Sequence, residues 1–367
     1  MQIIGLITMI ILLVVFNVLK QNPAIAEGWT RSFGKFYVEL ASTLTSWIPF
    51  SFTELSVAAL VGFIIFFIIK IIFSFIRLDI IGASNKIFTI INAVVGVFLV
   101  YTMSCEFAYN RYKVDLPFYE TKVESSEFKD IYNYYAEDLN NCIDALSFTE
   151  DGDIKSNLSI RDISSLVEES YKIINSDYYY NSNAHAKPMI SSFIYRELQL
   201  TGVTFSPYGE ANINYLATKL ELPLVIAHEL AHTKGVMRED DANQVAFYVC
   251  LNSDNEYVRF SAYGIYFYQM RAMTSNAYIS EEDIEDLIPI KSEYFKAIQF
   301  ASDYWKKYER LSNVGETINN AYITSSGVSS GTESYSSGTE ISQDPVTLEL
   351  QPSLYQKLFF EKYYRNK

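Results

Sequence analysis

The sequence predicts a mainly α protein in two parts, three N-terminal transmembrane helices followed by an α-rich water-soluble domain. Two observations carry this. Apolar residues make up 49% of the chain, but the long runs of Ile, Val, Leu and Phe are confined to the first 107 positions. Beyond them apolar residues recur at steps of three and four, the spacing of a helix with one buried face. At 367 residues the chain exceeds one average domain and can bury a sizeable core. A formal net charge of -14 with no basic patch argues against nucleic acid as a partner.

Taken in order, residues 3–19 carry no charge and approach the ~20 residues that a membrane span requires. The Ala24-Ile25-Ala26 triplet mimics a signal-peptide cleavage site, which is the competing reading. The n-region has no Lys or Arg and further apolar spans follow, so retention as an anchor is expected. Residues 57–76 form the strongest span, with Lys70 long enough to snorkel to an interface. Residues 87–107 form the third, weakened near its end by Glu106. Between the first two spans Trp29, Phe33, Phe36, Leu40, Leu44 and Trp47 share one helical face over 29–47. Such a face suits a helix lying in the membrane surface or one packed against the spans, and both readings stay open. Arg77 and Lys86 lie in the short loop between spans two and three, which is therefore expected in the cytoplasm. Three spans then place the N-terminus inside and the domain after about residue 108 on the extracytoplasmic side of a cell membrane, with the lipid bilayer as one partner.

The domain is expected over 108–311, with helices near 126–149, 159–175, 222–235, 240–252, 257–275 and 281–310. The stretch 189–216 is instead rich in β-branched and aromatic residues and carries Pro207 and Gly209, which suggests extended chain and a turn. Residues 312–345 are rich in Ser, Gly and Thr and are expected as a flexible linker, and the tail 346–367 holds a short helix over 352–364. The cysteines Cys105, Cys142 and Cys250 show no metal-ligand spacing, and at most Cys142 and Cys250 pair; three buried thiols is the simpler expectation.

The chemistry is carried by His228-Glu229-Leu230-Ala231-His232, an HExxH pattern. On a helix the two histidines stand one turn apart on one face, so both imidazoles can reach one Zn²⁺. Glu229 stands beside them, where a carboxylate can take a proton from water at the metal. Only three histidines exist and two are here; the third, His185, lies in a polar loop and is expected to be solvated. Pro223 can open the helix and Gly235 can end it. A third ligand must come from elsewhere if one position is to stay open for water. Glu239 and Asn243, one turn apart on the next helix, can supply it: Glu239 as ligand, Asn243 as a hydrogen-bond partner of a ligating histidine. Asp240 and Asp241 are the alternative ligands, although acids at a helix start are also favoured by its dipole. Upstream, Gly209, Glu210 and Asn212 are expected on an edge strand beside the site, to which an extended peptide can add by main-chain hydrogen bonds. Among 29 tyrosines, Tyr263 and Tyr266 are candidates for stabilising an oxyanion.

HExxH followed by a Glu-x-x-Ala-Asn helix resembles the gluzincin metallopeptidases, which implies Glu239 as third ligand. The chain also resembles the DUF3810 family of bacterial membrane proteins in residues 47–51 (WIPFS), 205–214 (FSPYGEANIN) and 228–243 (HELAHTKGVMREDDAN). That resemblance spans roughly 30–310 and implies an architecture and a metal rather than a reaction. The expectation that follows is a zincin-like metallopeptidase domain with one zinc ion, hydrolysing a peptide or protein near the membrane surface. A zinc-containing binding or assembly protein without turnover is the first alternative, but it has no need of Glu229. An intramembrane protease is the second, opposed by Glu221, Glu239, Asp240 and Asp241 around the motif.

Overall fold

The computed structural model describes residues 2–174, 177–273, 279, 281–326, 328–343 and 350–367, and among these it is mainly helical. Uncharged apolar sequence opens the chain as α1 (Gln2–Leu19). A turn at Asn22, whose side chain accepts from the Ala24 and Ile25 amides, starts α2 (Pro23–Trp29). One π-helical turn, Thr30–Gly34, then leads into α3 (Lys35–Thr45). Ser51 caps α4 (Phe52–Ile76) and Asp79 caps α5 (Ile80–Tyr101) through their side chains. After a second π turn, Thr102–Glu106, the same path ends in α6 (Phe107–Tyr109).

Three of these paths, Gln2–Leu19, Phe52–Ile76 and Ile80–Tyr109, are long and apolar enough to cross a membrane. The second and third begin earlier than the hydropathy of the sequence suggests: the second at its Ser51 cap, and the third because the loop before it shrinks to a turn at Leu78 and Asp79, which leaves Lys86 inside α5. At 30 residues the third is about 45 Å long, well beyond the ~30 Å of hydrocarbon. Its surplus is the stretch 102–109, whose side chains are buried in protein, while most of those before Tyr101 face outward.

The stretch 29–47 is divided by the π turn, and its first part packs against the apolar helices. Trp29 stacks on Phe107 at 4.8 Å, touches Phe16 and Phe33, and donates to the Met103 carbonyl at 2.8 Å. Beyond the extra residue of the π turn the phase changes, and Phe36, Leu40, Leu44 and Trp47 are exposed.

The domain follows with α7 (Phe128–Ala145) and α8 (Ile160–Ser170), the latter opened by a Ser159–Asp162 capping box. Extended chain comes next: β1 (Ala186–Pro188), a short α9 (Ser192–Glu197), β2 (Gly202–Phe205) and β3 (Glu210–Ile213). The sheet order is β1-β3-β2, with β3 parallel to β1 and antiparallel to β2. Then come α10 (Leu222–Thr233), α11 (Glu239–Leu251), α12 (Glu256–Ile265) and α13 (Phe267–Ala272). The segment expected as one helix over 281–310 is a 3-10 turn, Glu281–Asp286, and a separate α14 (Ser292–Lys306). Pro289 is the reason: it has no amide to donate and disfavours helix in the residue before it.

Residues 312–345, expected as a flexible linker, contain α15 (Ser312–Ser325) and a 3-10 turn, Gly331–Ser336, packed on it. Composition misleads here because the small polar residues allow close backbone approach: a Cβ on Gly315 would stand 2.0 Å from the Leu198 carbonyl oxygen. Residues 327, 344 and 345 of that stretch, like 175, 274 and 275 of the expected helices, lie outside the described residues. The tail ends in α16 (Leu354–Asn366), and Tyr355, Leu358, Phe359 and Phe360 are fully buried in the main core with α7, α11 and α12. The three cysteines are buried free thiols, so Cys142 and Cys250 do not pair.

Candidate metal site

The site is made by the turn between α10 and α11. Pro223 stands in the first turn of α10, and Gly235, at φ +85, lets the chain leave that helix in a left-handed conformation. The Val236 amide then donates to the Ala231 carbonyl at 3.1 Å, and α11 returns antiparallel with Glu239 as its first residue. His228 and His232 share the face of α10 that Glu239 meets. His232 Nε2 lies 3.0 Å from His228 Nε2, and Glu239 Oε2 lies 3.1 Å and 3.4 Å from the two.

These distances fit a metal ion. Zinc–nitrogen bonds of ~2.0–2.1 Å in a tetrahedron place neighbouring ligand atoms about 3.3 Å apart. The chemistry of the donors agrees. His232 Nδ1 stands 2.7 Å from the Val236 carbonyl, which holds a proton on that nitrogen and leaves Nε2 as a lone pair in the neutral ring. That lone pair faces a carboxylate oxygen and a second imidazole nitrogen, an arrangement that calls for a cation at its centre. Without a metal the demand falls on a proton: although burial opposes it, the Glu239 carboxylate holds His232 up to about 9. Glu239, pulled upward by burial, is held far below the ordinary carboxylate range by the two imidazoles. Among the described residues this is the one group of three or more potential ligands that converges within 4.8 Å.

Glu229 points to the other side of His228, toward β2. The Thr204 hydroxyl lies 2.7 Å from its Oε2 and 2.9 Å from its carbonyl, and a Cβ on Gly202 would stand 2.5 Å from Oε1. Burial raises its pKa against the lowering effect of the two histidines.

Several residues read from the sequence do other work. Asn243 does share a face with Glu239, but it donates to the Tyr335 carbonyl at 3.2 Å and not to a histidine; His228 Nδ1 has no partner among the described residues. Asp240 is engaged by Lys113 and Arg238, each at 3.0 Å, and Asp241 is buried, with Arg238 3.7 Å away. Successive helical residues point about 100° apart, so once Glu239 faces the histidines the next two acids cannot. His185 is paired with Glu168 at 2.9 Å. Tyr263 donates to Asp138 at 2.6 Å and Tyr266 stacks on Tyr355 at 4.0 Å, both in the core and away from the cluster.

The supposed edge strand is the central one. Glu210 caps the start of α4, accepting from the Thr53 amide at 2.8 Å and the Thr53 hydroxyl at 2.7 Å, and it pairs with buried Lys187 at 2.5 Å. Gly209, at φ +59, admits Ser42 where a Cβ would come within 2.8 Å. Asn212 reaches the Thr53 hydroxyl at 3.4 Å and the Val203 carbonyl at 3.3 Å. The three therefore join the sheet to α3 and α4. The strand beside Glu229 is β2.

Nothing in the sequence pattern singles out Tyr335. Its ring lies 6.2 Å from that of His228, and its hydroxyl accepts from Asn319 of α15 at 3.3 Å. It is half-buried beside the cluster and stands in the Ser/Gly-rich stretch, where composition speaks only of flexibility.

One family profile, described as a protein of unknown function (DUF3810), matches residues 29–341. No curated protein matches the chain, and no solved structure does.

Proposed function

We propose, from the premise that the chain belongs to the DUF3810 family, that it is a zinc metallopeptidase anchored in a membrane. The observation that supports this most directly is the convergence of His228, His232 and Glu239 at tetrahedral ligand spacing, with a further buried carboxylate, Glu229, beside them. The gluzincin pattern of the sequence supports the same ligand set, and the domain is read as zincin-like on that basis.

In this reading His228, His232 and Glu239 hold the ion, which when bound supplies Lewis acidity toward water and a peptide carbonyl. Glu229 takes the proton from the attacking water and hands it to the leaving amine. Thr204 orients Glu229 from one side, and the glycine at 202 leaves room for its carboxylate. The His232 imidazole is kept in the ligating tautomer by the Val236 carbonyl. Arg77 and Lys86, close to the turn between the second and third candidate spans, support placing that turn in the cytoplasm and the metal site outside. The substrate is a peptide or protein at the membrane surface.

The test is metal analysis of the purified full chain together with cleavage of a broad peptide library. One zinc per chain is expected, lost in His228→Ala and His232→Ala and much weakened in Glu239→Ala. Glu229→Gln is expected to keep zinc and fold while losing at least ~100-fold of hydrolysis, since general acid–base help is worth ~10²–10⁴. Fully loaded wild type that cleaves nothing would favour a zinc scaffold instead, and loss of zinc in Glu229→Gln would make Glu229 structural.

A further inference from the structure

We infer that α9 and α15 are seated in the head-group layer of the bilayer, with lipid covering Ile190, Phe193, Ile194, Val314 and Ile318. These side chains are large, apolar and about half or more exposed, from 47% at Ile194 to 70% at Ile190. Leu311, just before α15, and Val314 and Ile318 on it recur at steps of three and four and are all exposed, while Gly315 and Ile323 are buried. That is a helix with an apolar stripe left without a protein partner, the pattern of an interfacial helix.

Continuity with the candidate spans identifies what covers it. Glu54, in the first turn of α4, accepts from the Ile190 amide at 2.6 Å, from the Ser191 amide at 3.0 Å and from the Ser191 hydroxyl. The start of α9 is thereby fixed to the domain end of one span. The other end of the raft is fixed to a second span: the Tyr101 hydroxyl meets Ser326 at 3.2 Å, and Tyr101 packs edge-on against Tyr322 of α15. Tyr101 is where α5 passes from outward-facing side chains to the buried stretch 102–109, so it marks the level of the lipid boundary. The two helices also touch each other, Gly315 of α15 lying against the carbonyl of Leu198, which follows α9. Both apolar edges thus stand at the height where two spans leave the hydrocarbon, and α15 carries no Lys or Arg.

The consequence reaches the metal cluster. Asn319, next to lipid-facing Ile318, donates to the Tyr335 hydroxyl, and the Tyr335 ring lies beside His228. Only α15 and the turn that carries Tyr335 therefore separate lipid from the cluster. This inference rests on the candidate spans crossing a bilayer and not on any hydrolytic activity.

The three native thiols are buried, so a polarity-sensitive thiol dye can be directed to Phe193→Cys and Ile318→Cys in the full chain, with Asp144→Cys on α7 as the control. In phosphatidylcholine nanodiscs, doxyl-labelled lipid is expected to quench the dyes at 193 and 318 and iodide to leave them bright; the control should show the reverse. Iodide quenching at 193 and 318 without lipid quenching overturns the inference. Shielding from both quenchers that disappears on dilution does so too, because a second copy of the chain then covers the face. Unsubstituted protein in nanodiscs with a photoactivatable lipid gives an independent reading. Adducts on 190–198 and 311–321 are expected, and adducts confined to α1, α4 and α5 overturn the seating.

Discussion

Gly202 contributes no chemistry of its own, yet it sets where the Glu229 carboxylate can stand. A methyl group there meets Oε1 at 2.5 Å, and because the obstacle is the end of a flexible side chain, the fold can yield without unfolding. Gly202→Ala is therefore expected to keep zinc and stability but lose about tenfold or more of hydrolysis, by the loss of a positioned base. Zinc content and kcat/KM on the same preparation check this, and unchanged kcat/KM would remove the positioning role. A second residue-scale prediction concerns Glu27. Burial favours its neutral form, but Arg111 at 2.8 Å and Arg31 at 2.5 Å outweigh that and lower it from 4.5 to about 2. A depressed carboxylate stabilises the fold above its unfolded pKa, and that contribution disappears as pH falls from about 4.5 toward about 2. Glu27→Gln should flatten the dependence of thermal unfolding on pH across this acid window. It should also cost about 3 kcal/mol at neutral pH, because the fully buried Arg111 side chain loses its counter-charge. A slope in detergent identical to wild type would contradict the first, and unchanged stability at neutral pH the second.

At the scale of elements, α10 was legible and α15 was not. Proline near the start, a helical apolar face, and glycine past the end define α10 from within its own residues. For α15 the sequence between 312 and 325 has weak helix formers and no cap, and what makes it helical is its contact with the end of α9 and with Tyr101. The final helix belongs to both cases: its Ser353–Gln356 capping box is readable, whereas its depth in the core is not. Phe359 is fully buried and lies edge-on to Tyr135 at 5.9 Å. Phe359→Ala is expected to destabilise the domain by about 3–5 kcal/mol, as for other buried aromatics. Chemical denaturation of the full chain in detergent measures this; a change below about 1 kcal/mol, the range of ordinary surface substitutions, would mean that α16 is dispensable.

For the whole molecule, the three candidate spans and the domain are joined by several buried contacts. Glu210 holds the start of α4, Lys187 holds the end of α3 through the Thr45 carbonyl, Glu54 holds the start of α9, and Arg111 ties the chain after the third candidate span to Glu27 of α2. This seam gives meaning to topology, since the side chosen by the turn near Leu78 and Asp79 decides where the cluster works. A tag inserted in the turn at Leu78 and Asp79 is expected to resist external protease in intact cells, while a tag near 330 is cut. The opposite pattern would put the site in the cytoplasm. The insertion near 330 also lies next to the Tyr335 turn, so zinc content is measured on the tagged protein as well.

From the sequence by itself came the three apolar helices, the helical character of the domain, and two histidines of one candidate site with three neighbouring acids to choose from. Each is encoded locally: hydropathy needs only a run of residues, and HExxH with a carboxylate at the next helix start needs only two turns of helix. Choosing Glu239 over Asp240 and Asp241 took tertiary structure, because the five residues between α10 and α11 set the rotation of one helix against the other. Tertiary structure also moved Gly209, Glu210 and Asn212 from a binding edge to the joint with α3 and α4, since strand order is a non-local pairing that no spacing within β3 records. It alone brought Tyr335 to His228 from a stretch whose composition signals flexibility, because small residues pack as closely as they bend, and only a partner surface decides which they do.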